Sequence, residues 1–301
     1  MKLSELSRKS VSRLLGNGGL RLAIGPFNVC LSSSIAAVAE HLSFYYRGFD
    51  LVDESEFIDF NVALAPPSLV RRYFRANVDF SFDGYIPFKP LPYAQASAFF
   101  EWGLNWCIAS HSNQYLIIHS AVVEKNGQAF MFAGTPGSGK STLCAALVCS
   151  GWRLLSDEMA LLSLDDGLVY PVPRPISLKN QSIDIIRNFS ADTIIGPVVD
   201  DTQKGTVSHM RPPEESVRLS AIPAQVTQII FPKYQPASVT ELLPLTKGRT
   251  LLKVAENCFN YHTLSEQGFH SAAQLCDSSG CYEFRYSNLD EAIALFAGMG
   301  R

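Results

Sequence analysis

The sequence predicts an α/β protein in which an α+β region, residues 1–110, precedes a larger region, residues 111–301. Three observations support this fold class. Runs of alternating apolar and polar residues, typical of strands, recur in the first third of the chain, and strand and helix patterns follow one another after it. A glycine-rich turn separates an apolar run from a helical one. With 47% hydrophobic residues, 301 residues are enough to bury a large core.

Three segments define the N-terminal region. Residues 20–33 alternate around a Gly-Pro turn and predict a pair of strands. The run from Ile58 to Pro66 predicts another strand. Residues 91–111 carry bulky side chains at helical spacing, so we expect a buried helix that joins the two regions.

The second region has a regular order of predicted elements. Residues 115–134 form two β-rich runs around the turn Lys125–Gly127. The predicted elements after the glycine-rich turn are a helix (Lys140–Cys149), a strand (Arg153–Ser156) and a hairpin (Met159–Leu164 with Gly167–Val172). Residues 192–216 are polar and rich in Pro and Gly, which predicts a long loop. Either Ser287 or Asn288 is expected to cap a C-terminal amphipathic helix.

Charge and composition argue against several classes of protein, namely nucleic-acid-binding, membrane-bound and secreted proteins. The net charge is -3 with 18% charged residues, so the chain has no broad positive field for nucleic acid or an anionic membrane. The seven cysteines show no C-x-x-C spacing, which favours a reduced, cytoplasmic setting. Residues 1–16 lack the apolar stretch of a signal peptide, and no run reaches the length of a membrane span.

One motif points directly to a ligand. The eight residues after the apolar run match G-x-x-x-x-G-K-[ST] and are Gly134, Thr135, Pro136, Gly137, Ser138, Gly139, Lys140 and Ser141, followed by Thr142. Glycine-rich turns let backbone N–H groups approach phosphate closely, and a helix N-terminus favours its charge. We expect Lys140 to reach the β and γ phosphates of ATP or GTP, and Ser141 to ligate Mg²⁺. A glycine-rich turn without a ligand is the alternative.

Two adjacent acids follow the next predicted strand. Asp157 and Glu158 lie 17 and 18 residues after Lys140, at the end of an apolar strand. In P-loop proteins an acid in such a place orients magnesium. Two acids suggest two roles, one in metal binding and one in accepting a proton from an attacking hydroxyl. Otherwise they are solvated acids of a surface hairpin.

A histidine, His119, lies in the strand before the glycine-rich loop and is flanked by apolar residues. Such a histidine is often a hydrogen-bonded core residue. Alternatively it lies beside Asp157 or the γ-phosphate, where it would tune the base or contact the transferred group.

These motifs together resemble a known family. The run HSAVVEKNGQAFMFAGTPGSGKSTL followed by GWRLLSDE resembles the core of the HPr kinase/phosphorylase family over about residues 115–180. With EWGLNWC, PRPISLKN and TQKGTVSHMRPP, nearly the whole chain resembles the HprK-related kinase A family. The resemblance implies a P-loop kinase core of the HPr kinase/PEP carboxykinase type, after an α+β N-terminal domain, and ATP-dependent phosphorylation of a serine hydroxyl.

The resemblance also implies roles for single residues. Asp157 would accept the proton, Lys140 would clamp phosphate, and His119 would be the active-site histidine. Ser141 and Glu158 would form the metal side. HPr kinases have aspartate where Glu158 stands, and the family's downstream signature of the type E-I-R-G-L-G-I-I-N is absent from the sequence. Reverse phosphorolysis and recognition of HPr are therefore not implied.

Other charged residues are weaker candidates. Arg174 and Lys179 could offset charge on a transferring phosphoryl group or lie on a solvated strand edge. Lys204, His209 and Arg211 belong to the predicted loop, which could close over a ligand or carry ordinary solvated charge. Residues 258–262 resemble packing residues more than chemical ones.

Three functions remain open from the sequence. The first is an ATP- and Mg²⁺-dependent kinase acting on a serine hydroxyl of a protein or peptide. The second is a small-molecule kinase or carboxykinase-like phosphotransferase with the same core. The third is a nucleotide-binding regulator with little turnover. Neither nucleic acid nor a membrane is an expected partner. HPr kinase relatives often form hexamers, so homo-oligomerisation is open, although no segment of the sequence indicates an interface.

Overall fold

The computed structural model describes residues 1–68 and 76–300. Its helices are α1 (Arg8–Gly16), α2 (Ala36–Tyr45), α3 (Ala96–His111), α4 (Lys140–Cys149), α5 (Gln181–Phe189), α6 (Glu214–Arg218), α7 (Lys247–Glu256), α8 (Tyr261–Ser278) and α9 (Leu289–Met299). Its strands are β1 (Leu20–Ile24), β2 (Phe27–Ser33), β3 (Phe60–Ala65), β4 (Asn77–Phe82), β5 (Leu91–Pro92), β6 (Tyr115–Ile118), β7 (Ser120–Lys125), β8 (Gln128–Ala133), β9 (Arg153–Ser156), β10 (Ala160–Ser163), β11 (Val169–Tyr170), β12 (Ile176–Lys179), β13 (Val199–Thr202), β14 (Gly205–Met210), β15 (Val226–Tyr234), β16 (Glu241–Pro244) and β17 (Gly280–Tyr286). The protein is a mixed α/β structure with several sheets.

The N-terminal strands form a five-stranded sheet in the order β1-β2-β3-β4-β5. β2 and β3 pair in parallel, and the other neighbours are antiparallel. The strand pair predicted within residues 20–33, the strand predicted from Ile58 and the buried helix predicted within residues 91–111 are confirmed as β1 with β2, β3 and α3. Helix α3 packs against α2 and against this sheet.

The central sheet has six strands in the order β16-β17-β15-β8-β7-β9. β8, β15 and β17 run parallel, and β7 pairs antiparallel with β8 and β9. Phe130 and Phe132 of β8 pack on one face with α4 and α9, whereas Met131 packs on the other face with α8. Because successive side chains of a strand point to opposite faces, a strand covered on both sides is apolar throughout. The predicted turn at Asn126-Gly127 joins β7 to β8 with positive φ at both residues, as a tight hairpin requires.

The predicted long loop at residues 192–216 is wrong. Within it β13 and β14 form an antiparallel hairpin, β14 also pairs with β12, and α6 begins at Glu214. β13 is an edge strand whose two aspartates face solvent, so its sequence lacks the apolar alternation of a typical strand. Pairing with β14, a tertiary feature, makes it a strand.

Other predictions of secondary structure are confirmed, except that the first of the two β-rich runs within residues 115–134 is divided into β6 and β7, which belong to different sheets. The helix Lys140–Cys149 and the strand Arg153–Ser156 have the predicted bounds, and β10 with β11 is the predicted hairpin. Asn288 caps α9, because its side chain accepts hydrogen bonds from the N–H groups of Asp290 and Glu291. All seven cysteines are free thiols. Across residues 1–68 and 76–300, none of the helices combines the length and the apolar character that a membrane crossing requires.

The division at residues 110 and 111 stays a prediction, and the core extends across it. Helix α3 ends at His111. The apolar cluster beneath the N-terminal sheet nevertheless includes Tyr115, Ile117, Leu161 and Val172. The two regions therefore share this apolar cluster, whereas two further clusters lie within the second region.

Candidate active site

The glycine-rich loop between β8 and α4 has a backbone that only glycine adopts easily. Gly134, Gly137 and Gly139 have φ values of 145°, 84° and 97°. Gly139 is the N-cap of α4, and the chain enters the helix there in the left-handed region. The loop therefore presents the first turn of α4 at the end of a buried strand, the arrangement that binds anions through backbone N–H groups.

We predict that Gly139→Ala distorts this loop and destabilises the protein. A Cβ atom at position 139 would lie 2.5 Å from the Tyr286 hydroxyl, which is buried, and the left-handed φ adds about 1–2 kcal/mol of strain. Denaturation should show a loss of stability. The double variant Gly139→Ala/Tyr286→Phe should recover part of it, because the clashing hydroxyl is removed.

The control for this prediction is Gly248→Ala. Gly248 has an ordinary φ, and a Cβ atom there meets no other atom within 4 Å. Because Gly248 lies in α7, where Ala is favoured over Gly, its replacement should leave stability unchanged or raise it slightly. Equal losses at the two positions would contradict the prediction.

Lys140 lies against the loop that precedes it. Its ammonium donates to the carbonyl oxygens of Gly134 at 2.5 Å and Thr135 at 3.0 Å. Burial lowers the pKa of Lys140, and Asp157 and Glu158 act in the opposite direction. The side chain is thus held against the backbone of the loop by two hydrogen bonds.

Asp157 is buried rather than solvated, so the surface-hairpin interpretation of the acid pair is wrong for this residue. Its Oδ2 accepts the N–H of Ser177 at 3.0 Å. Its Oδ1 is buried and has no hydrogen-bond partner among the described residues. Burial, with the neighbouring Glu158 charge, raises the pKa of Asp157 to about 7, while Ser177, Lys179 and Ser141 act against the rise. A carboxyl with this pKa can accept a proton near neutral pH.

Glu158 differs from its neighbour in its surroundings. Burial would raise the pKa of Glu158, but Lys179, Lys204 and His119 lower it below its usual value. The ammonium of Lys179 lies 3.6 Å from Oε1 of Glu158. The pKa values of the two adjacent acids are therefore shifted in opposite directions, which would suit two groups with separate roles.

His119 lies where the chain passes from one sheet to another, because β6 ends at Ile118 and β7 begins at Ser120. The side chain is half-buried, and Nδ1 lies 3.0 Å from the carbonyl oxygen of Glu158. This carbonyl only accepts, so Nδ1 carries the hydrogen. Burial and the Lys140 charge lower the pKa of His119. The imidazole thus lies beside both Lys140 and the acid pair.

The β13–β14 hairpin contributes a further cation. Lys204, at the turn, is largely exposed, yet partial desolvation near the acids lowers its pKa. Its ammonium lies 5.4 Å from the centre of the Trp102 ring. His209 and Arg211 of the same hairpin face elsewhere: His209 is buried and Arg211 packs on Phe44.

These side chains line one cleft of about 460 Å³, which we call the acid cleft. Its lining residues are His119, Pro136, Gly137, Gly139, Lys140, Ser141, Thr142, Asp157, Glu158, Ser177, Lys179, Asn180, Ser182 and Lys204. Ser177 and Asn180 were not predicted as site residues from the sequence, although both lie in the PRPISLKN segment. Asn180 has φ 52° and ψ -125°, a strained conformation of the kind found at functional sites.

The donor set fits Mg²⁺ bound together with phosphate oxygens. Ser141 supplies a hydroxyl, Glu158 supplies a carboxylate, and the buried Oδ1 of Asp157 lacks a partner. Within the described residues there is no cluster of three or more His, Cys, Asp or Glu side chains that could hold a metal by itself. Mg²⁺ in nucleotide sites commonly takes one or two protein ligands, and phosphate and water complete its coordination.

Arg174 lies behind the acids rather than in the acid cleft. Its guanidinium is buried, and Nη2 donates to Oε2 of Glu101 at 2.5 Å. The same carboxylate accepts from the Tyr46 hydroxyl at 2.9 Å and lies 2.6 Å from Nε2 of His41. Neither sequence interpretation of Arg174, a phosphate clamp or a solvated strand edge, describes this position. Lys179, in contrast, is well placed to offset charge in the cleft.

Residues 258–262 include both packing and exposed groups. The side chain of Asn260 is buried and bonds to the backbone of β6 at Ile117 N and Tyr115 O. Phe259 is half exposed, and its ring lies 5.6 Å from that of His119. The packing interpretation therefore holds for Asn260, whereas Phe259 lies at the edge of the site.

Parts of the chain match a protein-family model and solved structures. Residues 105–177, 73 of the 301, match the family described as SynChlorMet cassette protein ScmC. This segment includes His119, the glycine-rich loop and both acids. Among solved structures, the Hpr(Ser) kinase/phosphatase from Coxiella burnetii matches at 10% identity over 61% of this chain and 96% of that chain, with a TM-score of 0.27. A TM-score this low supports no argument about fold or activity. No curated protein matches.

Proposed function

We propose that the protein is an ATP-dependent phosphotransferase with a P-loop core of the HPr kinase/PEP carboxykinase type. The observation that supports this most is the pairing of two features in one cleft. A glycine-rich loop with its lysine opens into the cleft, and a buried carboxyl whose pKa is about 7 lies in the wall. The first feature suits a triphosphate, and the second suits removal of a proton from an acceptor.

Most of the catalytic effect would come from residues of the protein that position the nucleotide and stabilise its charge. The N–H groups of the loop and of the first turn of α4 bind the phosphates, and Lys140 contacts the β and γ phosphates. Mg²⁺, held by Ser141 and Glu158 together with phosphate oxygens, would neutralise part of the charge. Lys179 and Lys204 face the same space and stabilise negative charge on the transferred group.

The reaction itself exchanges one P–O bond for another. The acceptor oxygen forms a bond to the γ-phosphorus as the bond to the bridging oxygen of ADP breaks. Asp157 takes the hydroxyl proton, and the carboxyl later releases it to solvent. His119 contacts the Glu158 carbonyl through Nδ1 and lines the cleft, where its ring would orient the transferred phosphoryl group.

The proposed acceptor is a serine hydroxyl of a protein or peptide. Small-molecule phosphotransfer and nucleotide-dependent regulation without turnover are the competing functions. A kinase transfers labelled phosphate, and a regulator binds nucleotide without transfer. The name of the matching family refers to a gene cassette, so products of genes adjacent to this one are the first acceptors to test. Incubation with labelled ATP and host lysate, followed by mass spectrometry, identifies the labelled species.

Lys140→Ala is expected to weaken binding of MgATP roughly ten- to hundredfold, since it removes charge-assisted hydrogen bonds to phosphate. Isothermal calorimetry with MgATP and MgGTP measures this directly and also gives the base preference. Lys89→Ala is the control, because Lys89 is an exposed lysine of the N-terminal region. If the unmodified protein gives no heat with either nucleotide, the proposed function is wrong.

A further inference from the structure

A second cleft opens on the other side of the glycine-rich loop. Its volume is about 590 Å³, and it lies between loop residues 134–138 and the ends of β15, β17 and α7. We call it the far cleft. Its size falls within the usual range of small-molecule sites, roughly 300–1,000 Å³.

The two clefts meet at the loop. Pro136 and Gly137 line both of them. Of these two clefts, only the acid cleft is lined by Asp157, Glu158 and Lys179, so a terminal phosphate that reacts must lie there. Pro136 and Gly137 are the part of the loop that both clefts share, so the rest of a bound nucleotide can pass from the acid cleft to the far cleft there. The far cleft is the concave surface that it reaches.

The walls of the far cleft combine aromatic surface with hydrogen-bonding groups. Tyr234 is half exposed at the end of β15, and Phe231 is buried beneath the ammonium of Lys253, 5.1 Å from its ring centre. The same ammonium lies 2.9 Å from Oε1 of Glu283. A planar heteroaromatic base suits the aromatic faces, whereas ribose hydroxyls and ring nitrogens suit the charged pair.

The far cleft is also tied to the loop that would hold the phosphates. Tyr234 N–H donates to Ser138 O at 3.0 Å, and the Tyr286 hydroxyl donates to Gly139 O at 3.3 Å. The rings of Tyr234 and Tyr286 lie 5.7 Å apart. A group that contacts Tyr234 is therefore held at a fixed distance from the loop.

We propose that the far cleft binds the purine nucleoside of the nucleotide, with the ring of Tyr234 as the surface on which the base stacks. This rests on the proposed function and gives the nucleotide a direction, with its base in the far cleft and its terminal phosphate in the acid cleft. Lys253 and Glu283 contact the polar edges of the nucleoside.

The test compares MgATP with magnesium tripolyphosphate, which has the phosphates but no nucleoside. The unmodified protein should bind MgATP more tightly. Tyr234→Ala should weaken MgATP roughly five- to hundredfold, the range for loss of one base–aromatic stack, and leave tripolyphosphate binding unchanged. Tyr234→Phe should retain MgATP affinity. Tyr85→Ala, at an exposed tyrosine of the N-terminal region, should change neither ligand.

A labelling experiment avoids dependence on one variant. Photolysis with 8-azido-ATP and magnesium should attach the label to peptides that contain residues 231–234, 253–257 or 283–285. Attachment confined to other segments would overturn the inference, as would equal weakening of ATP and tripolyphosphate by Tyr234→Ala. If the unmodified protein binds neither ligand, the proposed function fails as well. If it binds both equally, only the nucleoside site is wrong.

Discussion

Asp157→Asn is expected to reduce phosphoryl transfer about a hundred- to ten-thousandfold, the usual contribution of a general base. An amide cannot take the proton of an acceptor hydroxyl, but its carbonyl oxygen can still accept the Ser177 N–H. MgATP binding should therefore be largely kept. Transfer of labelled γ-phosphate gives the rate, and calorimetry gives the affinity.

The matched control is Asp165→Asn. Asp165 is an exposed acid in the turn of the β10–β11 hairpin, only a few residues along the chain. Its replacement should leave transfer intact. Turnover close to that of the unmodified protein in Asp157→Asn would exclude this carboxyl as the base.

The same substitution has a consequence for stability. Asp157 has a pKa of about 7 when folded and an ordinary one, near 3.8, when unfolded. The folded state thus holds its proton over a pH window in which the unfolded state has lost it. Protonated Asp157 therefore adds to the free energy of unfolding, fully below about pH 4, and this contribution is lost as pH rises to about 7.

Without nucleotide and magnesium, Asp157→Asn should therefore gain stability relative to the unmodified protein as pH rises. The gain between pH 5 and pH 8 is expected to be roughly 2 kcal/mol, and urea denaturation at the two values measures it. A difference that is constant with pH would contradict a buried carboxyl that titrates near 7. If Asp157 acts in catalysis, the loss of stability caused by its buried charge would accompany the activity.

Glu101→Leu is expected to cause the largest loss of stability, about 3–5 kcal/mol. Burial would raise the pKa of Glu101, but Arg174 and His41 hold it well below its usual range, so the carboxylate is charged and paired. Removing it leaves the Arg174 guanidinium buried without a counter-charge. Urea denaturation measures the loss.

Two further variants distinguish the effect of the unpaired charge from the effect of altered packing. The double variant Glu101→Leu/Arg174→Met should recover much of the stability, since no isolated charge stays buried. Glu215→Ala removes an exposed pair with Arg218 and should change little. If the double variant were as unstable as Glu101→Leu, the cost would come from packing and not from the unpaired charge.

Local patterns predicted the loop and its neighbouring elements well. Lys140 begins α4 as expected, because the glycines and the helix signal lie next to one another in the sequence. Asn288 was one of two candidate caps, and hydrogen-bond geometry selects it. The burial of Asp157 could not be predicted, because it depends on β12 and α3, which are distant in sequence.

The long-range features were missed for a similar reason. Arg174 looks like a strand-edge cation in its own segment, and only folding brings it to Glu101, 73 residues earlier. A signal did exist, since Glu101 is a lone carboxylate in a helix of apolar residues, and such groups are usually paired. The β13–β14 hairpin had no comparable signal, because its edge strand is as polar as a loop.

The contacts behind Asp157 and Glu158 connect the candidate site to distant parts of the chain. His41 of α2 contacts Glu101 of α3, Glu101 pairs with Arg174, and Ser177, three residues further on, holds Asp157. The segment with the loop and the acids therefore depends on helices that lie far outside it in the sequence. Recombination that moved this segment alone into another protein would separate Asp157 and Ser177 from the helices whose His41 and Glu101 hold Arg174 in place.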